Sequence, residues 1–363
     1  MEKALPNDTP ISAVDLFCGC GGMTHGLLAS GIKVEVGIDI DADLEYAYKT
    51  NNPEAAFLRC DLTKMHSGSI AKMFRAGKYR LLAGCAPCQP FSNLTHNWKK
   101  YQHHNLNLLD HFGNFVADIR PELVAMENVP GLACRGKTIF ERFIATLRKC
   151  EYHVDWRIIN CQEYGVPQTR RRLVLLASRL GVIKIPEGRF RHPGQWRTVR
   201  QTIGHLHPLM AGEEDPSDPI HVASRLSPLT LARIRATRHD GGTRRDWPDE
   251  LFLNCHGKKL GNQYLTSYGR MWWDRPAPTM TTKISISEGR FGHPEQDRSI
   301  TLREAALFQT FPILYQFWPP GQKLKHRAVS RMIGNAVPPT LAKEIGRTLM
   351  KHIEAFCGKD GGP

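Results

Sequence analysis

No stretch of this sequence approaches the roughly 18 consecutive apolar residues that a membrane-spanning helix requires. Met1 to Pro10 carries Glu2 and Asp8 where a secretory signal would have an apolar core. A chain with neither feature is expected in the cytoplasm, with no membrane partner. There the ten cysteines stay reduced, which excludes a disulfide framework and leaves core packing, ligation or nucleophilic chemistry as their uses. Acidic residues are in deficit, 35 Asp and Glu against 49 Lys and Arg for a net charge of +14, a balance that suits a polyanionic partner such as nucleic acid or a membrane surface. Internal repeats and low-complexity tracts are lacking too, so solenoids and long disordered arms are excluded. What remains is an ordinary globular composition, 41% hydrophobic and 23% charged over 363 residues, enough for one large domain or two moderate ones.

The first half alternates short apolar runs with amphipathic segments. Ala13–Phe17, Val34–Ile38, Leu81–Ala83, Leu123–Met126 and Leu173–Ala177 read as buried parallel strands. Met23–Ser30, Leu44–Thr50 and Thr138–Cys150 read as helices between them. This alternation predicts a doubly wound α/β sheet with ligands at the carboxyl ends of its strands. After about Pro186 the texture changes: Pro and Gly become frequent and periodicity fades through about residue 297, which predicts a smaller, irregular module. Helical patterns return at Leu302–Phe308 and Leu341–Phe356. The expected division is a first domain of residues 1–186, completed by 313–363, and a second of residues 187–312.

Four clusters carry chemistry. Asp15-Leu-Phe-Cys-Gly-Cys-Gly-Gly22 puts glycines where a strand turns into a helix, so that the backbone at Gly19, Gly21 and Gly22 approaches a nucleotide closely. The third glycine of a dinucleotide fingerprint is missing, its place taken by Thr24, which disfavours a nicotinamide enzyme. Asp39 and Asp61 follow the next two strand candidates; each alone suits a turn or cap, and together they describe a nucleoside pocket. Cys88 stands on a stiff turn between Pro87 and Pro90. A zinc half-site from Cys85 and Cys88 is the alternative, but the nearest second pair, Cys18 and Cys20, has one intervening residue where such sites use about two to four. Glu127 ends an apolar strand, and a buried carboxyl there must be protonated or partnered. Gln168-Thr-Arg-Arg-Arg172 leads into the last strand, placing arginines at a sheet mouth or on a solvated face.

Taken in order, these pieces resemble the bacterial DNA (cytosine-5)-methyltransferase family over nearly the whole chain. Its motifs correspond to Phe17–Gly22, Pro87-Cys88-Gln89, Glu127-Asn-Val129, Gln168–Arg172, Arg303-Glu304 with Phe311-Pro312, and Gly334-Asn-Ala-Val-Pro338. The resemblance implies a Rossmann-like S-adenosylmethionine-dependent catalytic domain with a target recognition domain. It implies S-adenosyl-L-methionine as cofactor, held by Phe17, Gly19, Cys20, Gly21, Gly22, Asp39, Ile40, Asp61, Leu62, Pro87, Leu109, Asn335 and Val337, with no metal. Cys88 would attack cytosine C6, Glu127 would engage N3 and the exocyclic amine, Arg172 would hold O2, and Arg170 would lend electrostatic support. Double-stranded DNA is the implied partner, its target base flipped out. Either a restriction endonuclease of the same system or action as an orphan modification enzyme, and a monomer in the bacterial cytoplasm, complete the expectation. Cys85-Ala86 departs from the residues many relatives show before Pro87, and Ile40 offers the adenine a smaller face than an aromatic residue would.

The segment Ser92–Asn105, with Asn93, Lys99, Lys100, His103 and His104, reads as a loop closing over the base. Arg225, Arg233, Arg235, Arg238, Arg244 and Arg245 are expected to supply phosphate and guanine contacts. Trp272 and Trp273 are expected in the module's small core. A tRNA cytosine methyltransferase would share the catalytic motifs, with the long basic module favouring DNA; a non-catalytic DNA-binding descendant is disfavoured by intact Cys88, Glu127 and Arg172.

Overall fold

The computed structural model describes residues 10–75, 77–87, 108–252 and 266–360. Cys88, Gln89 and the segment Ser92–Asn105 lie outside them. The described chain divides into two compact units, the first comprising residues up to Asn160, Arg171–Arg189 and Val337 onward, the second Cys161–Arg170 and Phe190–Ala336.

The first unit is built on a seven-stranded sheet. Its strands are β1 (Ile11–Leu16), β2 (Lys33–Asp39), β3 (Ala56–Arg59), β4 (Tyr79–Gly84), β5 (Leu123–Asn128), β6 (His153–Asn160) and β8 (Arg171–Ser178), in the order β3-β2-β1-β4-β5-β8-β6. Strands β1 to β5 pair in parallel. The run Leu173–Ala177, expected to be parallel, instead runs antiparallel to both β5 and β6. Its hydrophobicity reported burial on both faces, which is a property of position in the sheet and carries no sign of direction.

Alternation along β1 sends Val14 and Leu16 to one face and Asp15 to the other. On the first face lie α3 (Ser67–Ala71), α4 (Leu108–Ile119), α5 (Gly131–Cys134) and α6 (Lys137–Lys149). Leu109, Phe112, Phe115 and Val116 of α4 recur at helical spacing and meet Phe140, Phe143 and Leu147 of α6 in one core with Val14, Leu82, Val124 and Leu175. The opposite face carries α1 (Gly22–Leu28) and α2 (Glu45–Asn51), with the C-terminal helix α11 (Pro339–Asp360) packed on α1. Helices on both faces make the sheet doubly wound. The edge strand β6 and the helix α4 are not among the elements expected from the sequence.

The second unit has little regular structure: the short pairing of β7 (Gln168–Thr169) with β9 (Ala277–Pro278), and helices α7 (Val199–Ile203), α8 (Pro228–Ala236), α9 (Leu302–Phe308) and α10 (His326–Asn335). Irregular chain leaves carbonyls without partners, and buried arginines answer them, because a guanidinium offers five donors in a fixed plane. Arg270, fully buried, donates to the carbonyls of Ile234, Thr237, His293 and Gln296 and pairs with Asp297. Arg298 makes a two-pronged contact with Glu304 at 2.9 and 2.7 Å, and Glu304 also closes a capping box on α9 with Thr301.

The units do not follow the expected domain bounds. Residues 313–336 fall in the second unit because α10 packs on the segment before it: Ser330 Oγ receives the Ile284 amide at 2.9 Å and donates to the Thr282 carbonyl at 3.0 Å. Among the described residues no helix is long and apolar enough to cross a membrane.

Candidate active site

The carboxyl ends of β4 and β5 meet the amino end of β8 at one edge of the sheet, and β8 arrives there because it is antiparallel: Asn128 pairs with Leu173 and Glu127 with Val174. Arg172 therefore emerges beside Glu127, with its Nε 3.0 Å from Glu127 Oε1. Glu127 is 5% exposed, so the buried carboxyl is partnered, one of the two states the sequence allowed. Asn128 Nδ2 donates to the Ala86 carbonyl at 3.0 Å, and the Cys85 amide donates to the Leu16 carbonyl at 3.2 Å. The segment leading to Pro87 and Cys88 is thus tied to both neighbouring strands. Burial pushes the Cys85 thiol well above its usual range, and the carboxylates of Glu127 and Asp15 push it the same way. Cys85 is a poor nucleophile for these reasons.

The second corner is the turn between β1 and α1. Phe17, Gly19 and Gly21 adopt left-handed backbone angles, φ 57°, 57° and 94°, and a Cβ on Gly19 would meet nothing within 4 Å, so space is open above the turn. Cys20 is buried and its thiol is pushed up to about 12, by burial first; Gly22 begins α1. Asp39 Oδ2 accepts the Gly19 amide at 3.0 Å and Oδ1 the Asp41 amide at 3.1 Å. Burial raises the Asp39 carboxyl above its ordinary value despite those bonds. Beside it Ile40 is 61% exposed, an apolar face suited to an adenine ring. Asp61 caps a short helical turn, its Oδ1 accepting the Thr63 amide at 3.0 Å and hydroxyl at 2.7 Å, which lowers its carboxyl. A carboxylate has further acceptor sites beyond these. An open glycine turn, a carboxylate after the second strand and an exposed apolar side chain next to it fit the methionine, ribose and adenine parts of S-adenosylmethionine. Leu62 and Leu109 are buried in the core between the sheet and the helices on its face. Val337 begins the return into the first unit, whereas Asn335, the last residue of α10, belongs to the second.

Several of the expected site residues are engaged within the fold. Arg170 is fully buried and donates to the carbonyls of Met280 at 2.9 Å, Gly334 at 2.9 Å and Ala336 at 3.2 Å. These bonds fix the guanidinium within the second unit. Arg233 and Arg244 are also buried, with Arg233 Nε donating to the Leu251 carbonyl at 2.8 Å; of the six arginines expected at DNA, Arg225, Arg235, Arg238 and Arg245 are exposed. Trp272 and Trp273 are half-buried; Trp272 lies against Arg290 and Arg275, at 3.9 and 4.5 Å. Sequence reasoning missed Asn128 as the tie to Ala86 and Gln309, which joins Gln168 to the carbonyls of Ile333 and Ala336. Their signal is faint, since a polar side chain next to a motif gives no hint of its partner.

Residues 11–351 match the family of C-5 cytosine-specific DNA methylases. The chain belongs to that family. This methylase is 44% identical over 351 residues to the type II methylase M.HgiDII of Herpetosiphon aurantiacus, covering 95% of this chain and 96% of that one. It is 29% identical to the type II methyltransferase M1.HphI of Haemophilus parahaemolyticus over 97% of this chain and 90% of that one. DNA (cytosine-5)-methyltransferase 4 of Arabidopsis thaliana is 28% identical over 96% of this chain, which spans 29% of that longer protein. Among solved structures, an E. coli prophage-encoded protein described as a DNA modification methyltransferase superposes with a TM-score of 0.70 at 20% identity, covering 95% of this chain and 99% of that one. A Spodoptera frugiperda DNMT2 variant gives 0.62 at 18%, covering 93% and 99%. At such identities these likenesses speak for the fold. The methylase is a DNA (cytosine-5)-methyltransferase, of a family that uses S-adenosylmethionine.

Proposed function

We propose that this methylase modifies C5 of a flipped-out cytosine in a specific duplex DNA sequence through a covalent bond between Cys88 and C6. The observation that carries the reading is the buried Glu127–Arg172 pair, 3.0 Å apart, beside the tethered segment that leads into Cys88. Cytosine C5 is a weak nucleophile until a group adds at C6, and a thiolate suits that addition. Negative charge pushed into the ring is met at O2 by the Arg172 guanidinium and at N3 by a proton delivered through Glu127, which is paired with Arg172 in the free protein and must take that proton up as the base binds. S-adenosylmethionine, held by the Phe17–Gly22 turn, Asp39 and Ile40, supplies an electrophilic methyl group. Loss of the C5 proton to water, with the N3 proton returned to Glu127, then lets the Cys88 thiolate leave by elimination and restores the aromatic ring.

The second unit, with exposed Arg225, Arg235, Arg238 and Arg245, is the module proposed to position the duplex and read its sequence. Similarity to type II methylases supports a modification role beside a restriction endonuclease, carried out by a monomer in the bacterial cytoplasm. The test is trapping on duplex DNA whose target cytosine carries fluorine at C5, which blocks elimination. A denaturation-resistant adduct that maps to Cys88, forms efficiently only with the methyl donor and is absent in Cys88→Ala is the expected result. An adduct on Cys85, or methylation by Cys88→Ala, overturns the mechanism; trapping on tRNA in preference to duplex DNA overturns the substrate.

A further inference from the structure

Asp15 is a buried acid that the reaction above does not use. It lies near the carboxyl end of β1, on the face covered by α1 and α2, and is 0% exposed. The Thr24 hydroxyl donates to its Oδ2 at 2.7 Å and shares a 3.0 Å hydrogen bond with the Tyr48 hydroxyl of α2. Thr24 and Tyr48 are likewise 0% exposed. Asp15 Oδ1 has no hydrogen-bond partner among the described residues. Among the described residues its ionisable neighbours include Asp39 and the thiols Cys18 and Cys85, none of them a cation. Burial pushes its carboxyl up to about 7.

The arrangement is costly and specific. Tyr48 reaches Thr24 only because residue 37 of β2 is glycine: a Cβ there would lie 2.4 Å from the tyrosine ring. The Asp15–Thr24 bond joins residues nine apart and closes a ring around the whole turn Phe17–Gly22. That turn holds three left-handed residues, one of them Phe17, which has no steric licence for the conformation. At its middle the turn is anchored through Gly19 to Asp39, and at its base by the Asp15–Thr24–Tyr48 chain. A preformed turn binds its ligand without first having to be ordered.

We propose that Asp15, Thr24 and Tyr48 form a positioning network that holds the Phe17–Gly22 turn in its ligand-binding shape and so sets affinity for the methyl donor without touching it. The inference rests on the proposed cofactor site, and calorimetric titration of the unmodified protein with S-adenosylhomocysteine separates the two: no binding there removes the site and the network's role together. With binding present, Thr24→Val keeps the volume and removes the hydroxyl, and should weaken binding about tenfold. Asp15→Asn, which imitates the protonated acid, should bind within about twofold of the parent, while Asp15→Leu, which also leaves the Thr24 amide without its acceptor, should weaken binding at least as much as Thr24→Val does. The double variant Asp15→Leu/Thr24→Val should be little worse than Asp15→Leu alone, because Asp15→Leu already removes the hydroxyl bond together with the Thr24 amide bond. In turnover, Thr24→Val should raise KM for the donor and leave kcat at saturation unchanged. Unaltered affinity in Thr24→Val, failure of Asp15→Asn to rescue what Asp15→Leu loses, or a fall in kcat at constant KM would each overturn the proposal.

Discussion

Glu127 and Arg172 illustrate how much one buried pair demands. Taking a carboxylate and a guanidinium from water costs several kcal/mol per ion, and the pair sits at 6% and 13% side-chain exposure. Removing one partner is worse than keeping both, since the survivor stays buried and uncompensated. Arg172→Ala should therefore cost roughly 3 to 5 kcal/mol of stability as well as activity. Glu127→Gln keeps the shape of the side chain beside Arg172 and a polar oxygen near the guanidinium, while the transferable proton is gone. Single-turnover methylation at saturating donor should slow by about 10² or more, with the melting temperature moved by only a few degrees. A rate within twofold of the parent would remove Glu127 as the proton donor.

At the scale of elements, α1 and α11 approach closely at Gly26. A Cβ there would lie 2.4 Å from both the Ala342 Cβ and the Pro339 carbonyl oxygen, and neither backbone nor a short side chain can yield. Gly26→Ala should push the helices apart and cost about 1 to 3 kcal/mol or more by overpacking, read as a lower urea midpoint at constant slope. A midpoint equal to the parent's would mean the helices slide freely. Elements also show what the sequence could reveal. Strands β1, β2, β4 and β5 announce themselves because a strand buried on both faces is an unbroken apolar run, and Leu302–Phe308 is bounded in the structure where its pattern begins and ends. The direction of β8 was illegible because burial has no polarity, yet that direction is what brings Arg172 to Glu127. Edge strand β6 mixes buried and open positions, with Trp156 39% exposed, and left no pattern. Arg233 and Arg244 read in sequence as DNA contacts; their burial, like that of Arg170, Arg270 and Arg298, follows from the irregular backbone around them, which only the folded chain displays. Asp15, Thr24 and Tyr48 were on the page as letters of a motif and a helix, but a hydrogen bond between them depends on Gly37.

Across the whole molecule, the two units carry buried acids and bases of opposite pH response. In the first unit burial raises Asp15 from 3.8 to about 7, and it raises Asp39 as well. A carboxyl that holds its proton more tightly when folded favours the folded state below its unfolded pKa, and that contribution is lost as pH rises toward 7. In the second unit burial lowers His293 from 6.5 to about 3, and it lowers His326 too. The unfolded histidine takes up a proton that the folded one refuses, so stability is lost as pH falls below 6.5. Glu304, lowered to about 2 by Arg298 against the pull of burial, acts only below its ordinary 4.5, as do the lowered Glu122 and Asp61, so between pH 5 and 7 they are silent. Acidification from pH 7 to pH 5 should then stabilise the first unit through Asp15 by roughly 2 kcal/mol and destabilise the second through His293 by a similar amount. Hydrogen exchange, corrected for its intrinsic pH dependence, reads the units separately: protection of Ile11–Leu16 should rise on acidification while that of Leu302–Phe308 falls. Asp15→Asn should abolish much of the first change and leave the second intact. Protection that moves the same way in both segments would show that the units unfold as one body, and that neither buried group governs its own.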